Sequence, residues 1–147
     1  NVNTSISLDY VDDEAIRIEI HKLINEINSK ESFDKIKFEL EDRFGKLNSD
    51  IINYMYEEWF QNVADSLKIN TIRYISNNVE LELPEEISNK IDGEKLFLQI
   101  YSINPKFRLK YHNKKIIIEL NILNKKNEYV KDLLDLLLLV KSCIKSD

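Results

Sequence analysis

From Phe33, apolar residues return at Ile36, Leu40 and Phe44, the three-and-four spacing of a helix with one buried face. Gly45 follows, one of two glycines in 147 residues. It stands where a helix stops by entering the left-handed region, which suits a residue without a Cβ. The same period runs through Ile16, Ile20, Leu23, Ile24 and Ile27, behind Asp12 or Asp13 as a cap. It runs again through Ile51, Ile52, Met55, Trp59, Val63 and Leu67, with Tyr54, Tyr56 and Phe60 widening the stripe. Asn48 or Ser49 can cap this third segment, and Asp50 in its first turn is favoured by the helix dipole. Asn28-Ser29-Lys30 separates the first two segments, and Ser32 is predicted to cap the second. Residues 1–11 alternate weakly and read as an extended lead-in. Together the spacings predict a helical lobe over about residues 12–67.

From Thr71 the period changes to two. Ile72 and Tyr74 alternate with Arg73 and Ile75, and Val79, Leu81 and Leu83 alternate with Glu80 and Glu82. Asn77-Asn78 between them tolerates positive φ, so the segment reads as a hairpin that Pro84 ends. Asp92 is predicted to cap a helix with Leu96, Ile100 and Ile103 inward, stopped at Asn104 by the limit Pro105 sets on its predecessor. Phe107-Leu109-Tyr111 and Lys115 to Leu120 form a second strand pair around a turn at His112-Asn113. A last helix of about 18 residues is predicted from Asn127. The order predicts an α+β domain. A three-helix lobe precedes a small four-stranded antiparallel sheet with a crossing helix and a C-terminal helix, the β-rich lobe covering about residues 70–145.

Composition changes this picture in one respect. With 43% hydrophobic and 32% charged residues the chain is globular rather than disordered, and its length suits one domain or two small lobes. The net charge of −5 is uneven: residues 1–67 hold 15 acids against 7 bases, residues 68–147 hold 11 against 14. An acidic first half fits a basic protein surface better than nucleic acid. The single Cys143 excludes an internal disulfide and fits a reducing compartment, and we expect a cytoplasmic location. No signal peptide is legible, so Asn3-Thr4-Ser5 matches a glycosylation acceptor without a secretory context to use it. The run Leu136 to Val140 falls far short of the roughly 20 residues that span a bilayer. The chain opens on Asn rather than Met, and is expected to be a piece of a longer protein.

Sites of recognisable chemistry are scarce. Two glycines cannot build a phosphate loop. His21 is expected on the surface, His112 in a solvated turn, and neither has ligand spacing to Cys, Asp or Glu. Cys143, after an apolar run, reads as a small core residue rather than a nucleophile. Asp9, Asp12, Asp13 and Glu14 lack the spacing of a calcium loop and read as a cap and solvated face. Lys106, Arg108, Lys110, Lys114 and Lys115, interleaved with Phe107, Leu109 and Tyr111, are the best candidate for nucleic-acid binding. Alternation puts those aromatics on the face opposite the bases, which favours a core face with a lysine-rich outer face. No catalytic constellation is visible, and no cofactor or metal site is expected.

Glu39, Asp42 and Arg43 crowd the end of the second helix, where the two carboxylates face the negative end of the dipole. Glu39 and Asp42 lie three apart on one face, so they can meet arginines of a partner together. Equally, Arg43 or Lys46 can pair with them in cis; the residues alone leave both readings open.

A resemblance bears on that choice. Ile6-Ser7-Leu8-Asp9-Tyr10-Val11-Asp12-Asp13, then Arg17, Ile18 and His21-Lys22-Leu23, resembles an Ile-Pro-x-Asp-Tyr-Ile-x-Asp lead into a helix Arg-Leu-x-x-Tyr-Lys-Arg. Glu39 to Leu47 resembles Glu-Leu-x-Asp-Arg-Phe-Gly-x-Leu, and Leu67-Lys68-Ile69 a Leu-Gly-Ile before a strand. The family is the C-terminal domain of the bacterial transcription-repair coupling factor, a DNA translocase. The likeness is strongest through residue 69 and continues by element order. Ser7, His21, Lys46 and Asn48 depart from the family's proline, tyrosine and two prolines, while Glu39, Asp42, Arg43, Phe44 and Gly45 are intact.

The resemblance implies a regulatory, non-catalytic domain without a cofactor of its own, ATP and Mg being used by translocase lobes elsewhere in the full-length protein. It implies autoinhibition: packing on the UvrB-like module of the same chain and masking the surface through which that module binds UvrA in nucleotide excision repair. The full-length protein is implied to bind RNA polymerase and DNA, not membrane. On this view Glu39, Asp42 and Arg43 are the partner-binding residues.

Overall fold

The computed structural model describes residues 10–123 and 129–146. The chain divides into two compact units, Asn1–Asn62 and Val63–Asp147, the boundary lying inside one helix. The sequence motif at residues 6–9, Asp9 of the acidic cluster and the predicted helix start at Asn127 lie outside the described residues.

The first unit is built from α1 (Glu14–Asn25), α2 (Lys30–Phe44) and most of α3 (Ser49–Ser66). Asp13 caps α1, its carboxylate accepting from the Ile16 amide at 3.2 Å. The cap of α2 is Ser29, not Ser32 as predicted. Ser32 is the third helical residue, and the two serines bond each other's amides at 3.0 Å in a reciprocal box. The triplet read as a break is thus the helix start. Asn48 caps α3 by accepting from the Ile51 amide at 2.9 Å. Ile20, Ile24, Ile27, Phe33, Ile36, Leu40, Ile51, Met55 and Trp59 are buried, so the stripes read from the period do form the core. Phe33 of α2 stacks on Tyr56 and tilts against Trp59 of α3, with centroids 4.9 and 5.4 Å away. Asn62 donates to the carbonyls of Asn25 and Ile27, fastening α3 to the α1–α2 connection.

In the second unit α3 ends in a Schellman motif: the Ile69 amide donates to the Ala64 carbonyl and the Lys68 amide to that of Asp65. Lys68 sits at φ 59°, a left-handed position that favours glycine, and it stands where the resembled motif carries one. Lys68→Gly is therefore expected to stabilise the protein by about 0.5–1 kcal/mol in urea unfolding. A loss instead would mean that the lysine side chain contributes more than its backbone strain costs.

The sheet contains β1 (Thr71–Ile75), β2 (Asn78–Glu82), β3 (Phe107–His112) and β4 (Lys115–Asn121), all antiparallel, in the order β1-β2-β4-β3. Both hairpins turn one residue away from where sequence placed them. Ser76-Asn77, with Ser76 at φ 54°, closes the first. Asn113-Lys114, both at positive φ, closes the second. Register puts Val79, Leu120 and Phe107 in one row and Leu81, Ile118 and Leu109 in the next, forming an apolar face. Arg73, Glu80, Glu119 and Arg108 occupy the other face.

A four-residue helix, α4 (Glu85–Ser88), follows Pro84 and was not legible in the sequence; Pro84 both ends the strand and starts the helix. Buried Ser88 secures it, donating to the Leu83 carbonyl and accepting from the Ile116 amide. Asp92 caps α5 (Gly93–Ile103) as predicted, and α5 packs on β3 and on α6 (Tyr129–Ser142). Cys143 is buried with its thiol pushed up by that burial, as a core residue rather than a thiolate nucleophile.

Candidate partner-binding face

Glu39, Asp42 and Arg43 lie in the last turn and a half of α2, and three surroundings separate their roles. Arg43 is held in cis: its Nη1 is 3.3 Å from Glu19 Oε2 on α1 and 3.7 Å from Glu39 Oε2 one turn back. Its guanidinium also covers the Phe44 ring at 4.7 Å. Glu39, half-buried, therefore has a local partner. Asp42 is exposed, and its side chain makes no ion pair or hydrogen bond among the described residues. The in-cis reading thus describes Glu39 and Arg43; Lys46 takes no part in an ion pair among the described residues, and the carboxylate without a partner is Asp42.

The end of the helix that carries these groups is firmly fastened. Gly45 adopts φ 93°, ψ −177°, and its amide donates to the Glu41 carbonyl. This is not the left-handed helical conformation predicted for a simple stop but an extended one at positive φ, open almost solely to glycine. The Tyr10 hydroxyl lies 3.1 Å from both the Leu40 and the Gly45 carbonyl oxygens, and its ring meets Phe44 edge-on at 6.0 Å. Burial first, then the nearby Glu41 carboxylate, raise the Tyr10 pKa and keep the hydroxyl a donor. Glu41 itself is paired with Lys37 at 3.3 Å.

Sequence reasoning missed Phe38. It lies off the Phe33-Ile36-Leu40 stripe, between Lys37 and Glu39, and is 72% exposed. The signal was present: an apolar residue two positions from each of two core residues must point away from them.

His21 is not the surface residue expected. Its Nδ1 lies 2.8 Å from Tyr54 Oη, which donates to Asn25 Oδ1 at 3.0 Å, so His21 must supply the hydrogen to the phenol. Burial, with Glu58 and Glu57 nearby, pushes the Tyr54 pKa up to about 12. This network joins α1 to α3 and is structural.

The basic strand is neutralised in part, at Lys110 and Lys115. Lys110 lies 2.9 Å from Glu119 and 3.8 Å from Glu80, which Arg73 also meets at 3.0 Å. The hydrogen bond to Glu119 raises the Lys110 pKa. Lys115 pairs with Glu82 at 3.2 Å, and Arg108 donates to the carbonyls of Pro105 and Phe107. Lys106 and Lys114 have no ion pair among the described residues. A groove of about 380 Å³ lined by Asn78, Lys106, Arg108, Glu119, Asn121 and Leu123 lies on this face. Phe107 is buried, so it is not available to stack on a base. His112 is exposed.

No group of three or more His, Cys, Asp and Glu among the described residues could hold a metal. No described helix is long and apolar enough to cross a membrane. The fold and this face define a small α+β domain with an exposed acidic surface at the end of α2. The family model of the TRCF domain matches residues 1–95. The chain therefore belongs to the TRCF domain family. Among solved structures it is similar to a crystal structure of the C-terminal domain of transcription-repair coupling factor, with a TM-score of 0.80 and 18% identity. The match covers 97% of this chain and 91% of that one. None of the curated proteins matches.

Proposed function

We propose that residues 1–147 act as one autoinhibitory domain of the coupling factor. It packs on the UvrB-like module of the same protein and masks that module's UvrA-binding surface until transcription-coupled repair displaces it. The carrying observation is Asp42, a carboxylate without a partner among the described residues, at the helix end where it is electrostatically unfavourable. A residue that costs its own helix about 0.3–1 kcal/mol gains a reason from a cation supplied in trans. Glu39 and Arg43 border it and complete the contact. The domain uses no cofactor of its own; ATP and Mg, DNA and RNA polymerase belong to the rest of the full-length cytoplasmic protein.

Replacing Glu39 and Asp42 together by Ala is expected to weaken association with the UvrB-like module about tenfold or more at moderate salt. Asp42→Ala alone is expected to account for the larger share, because Arg43 already satisfies Glu39. Isothermal titration of the module measures both. Unfolding free energy should stay within about 0.5 kcal/mol, since neither side chain is in the core. Unchanged affinity in the double variant would refute the assignment of these residues.

A further inference from the structure

We propose that Phe38 is the apolar anchor of this face, seated on binding in an apolar pocket of a basic partner surface; the proposal rests on the partner reading above. Phe38 is the most exposed of the large apolar side chains described, at 72%. It stands opposite the buried Phe33, Ile36 and Leu40, so the fold of its own unit does not use it. Asp34 lies one turn before it and Asp42 one turn after, so all three share one face of α2. Asp34 is held by Lys30 at 2.6 Å, whereas Asp42 has no partner among the described residues.

A protruding aromatic flanked by carboxylates is the complement of an apolar pocket rimmed by lysine or arginine. The charge of the unit selects the same partner: residues 1–62 hold 14 acidic against 7 basic residues. The roles divide physically. Asp42 and Glu39 set charge recognition, which salt screens, while Phe38 contributes desolvation, which salt does not screen.

The test is isothermal titration of this chain with the UvrB-like module at low and at moderate salt, for Phe38→Ser, Phe38→Leu and the Glu39→Ala/Asp42→Ala pair. Phe38→Ser is expected to weaken binding about tenfold or more at both salt concentrations. Phe38→Leu should retain affinity within about threefold, and the pair should lose its effect as salt rises. Thermal unfolding of all variants should match the parent, since Phe38 is outside the core.

If Phe38→Ser binds within twofold of the parent while the acidic pair weakens binding, the anchor is wrong and the partner reading stands. If neither matters, both fall. If Phe38→Ser alone weakens binding, the anchor stands and the acidic assignment falls. Should Phe38→Ser fail to fold, Phe38→Ala takes its place: an alanine variant that folds and loses tenfold at both salt concentrations supports the anchor, and one that binds within about twofold of the parent would overturn it.

Discussion

Leu40→Ala is expected to lower the unfolding free energy by about 2–5 kcal/mol, the range for truncating a fully buried leucine. Leu40 is 0% exposed and lies on the core side of α2, at the level of Glu39 and Asp42. Removing its isobutyl group costs the transfer of that group and leaves a cavity that the first unit can close only in part. The Tyr10 hydroxyl meets the backbone carbonyl of Leu40, so this contact is not itself deleted. Urea unfolding should show a lower midpoint with an unchanged slope. Asp42→Ala, two residues further along the same helix and on its exposed side, should leave the midpoint nearly where it was. The contrast separates residues that build the helix from those it displays. A loss below about 1 kcal/mol for Leu40→Ala would contradict the packing described here.

Gly45→Ala is expected to cost about 1–3 kcal/mol through the backbone alone. An added Cβ would meet nothing within 4 Å, so no side-chain clash contributes. The cost comes from φ 93° combined with ψ −177°, a region that L residues with a Cβ avoid. Gly45→Asn distinguishes this from an ordinary helix stop. Asn tolerates the left-handed helical region well, so it would rescue a simple cap. At ψ −177° it should fare little better than Ala, and a near-neutral Asn variant would overturn this account. Because Tyr10 spans the Leu40 and Gly45 carbonyls, strain at Gly45 should also loosen the helix end that presents Asp42.

The core of both units was legible in the chain because burial imposes a period. Ile20, Ile24, Phe33, Ile36, Leu40, Met55 and Trp59 recur every three or four residues since one helix face must leave water. Val79, Leu81, Ile118 and Leu120 alternate because one sheet face must. Capping was legible where one candidate stood alone, as at Asp92. It was misplaced where two serines share a box, since Ser29 and Ser32 are chemically alike and only the backbone distinguishes cap from third residue. Both hairpin turns slipped by one residue for a similar reason. Ser76, Asn113 and Lys114 take positive φ because the strand registers require two-residue turns there, and their composition does not announce it.

At the end of α2 the same division holds. Local sequence was enough to determine that Glu39, Asp42 and Arg43 crowd the last turns of a helix closed by Gly45, since spacing and a rare glycine are local properties. Which carboxylate is left without a cation was not local. Arg43 could have served Glu39, Asp42 or neither, and Glu19, twenty-four residues away, helps to turn it toward Glu39. A side chain's partner depends on what the fold brings within 4 Å, so tertiary structure alone singled out Asp42 as the carboxylate without a cation among the described residues, and left Phe38 one turn before it facing water.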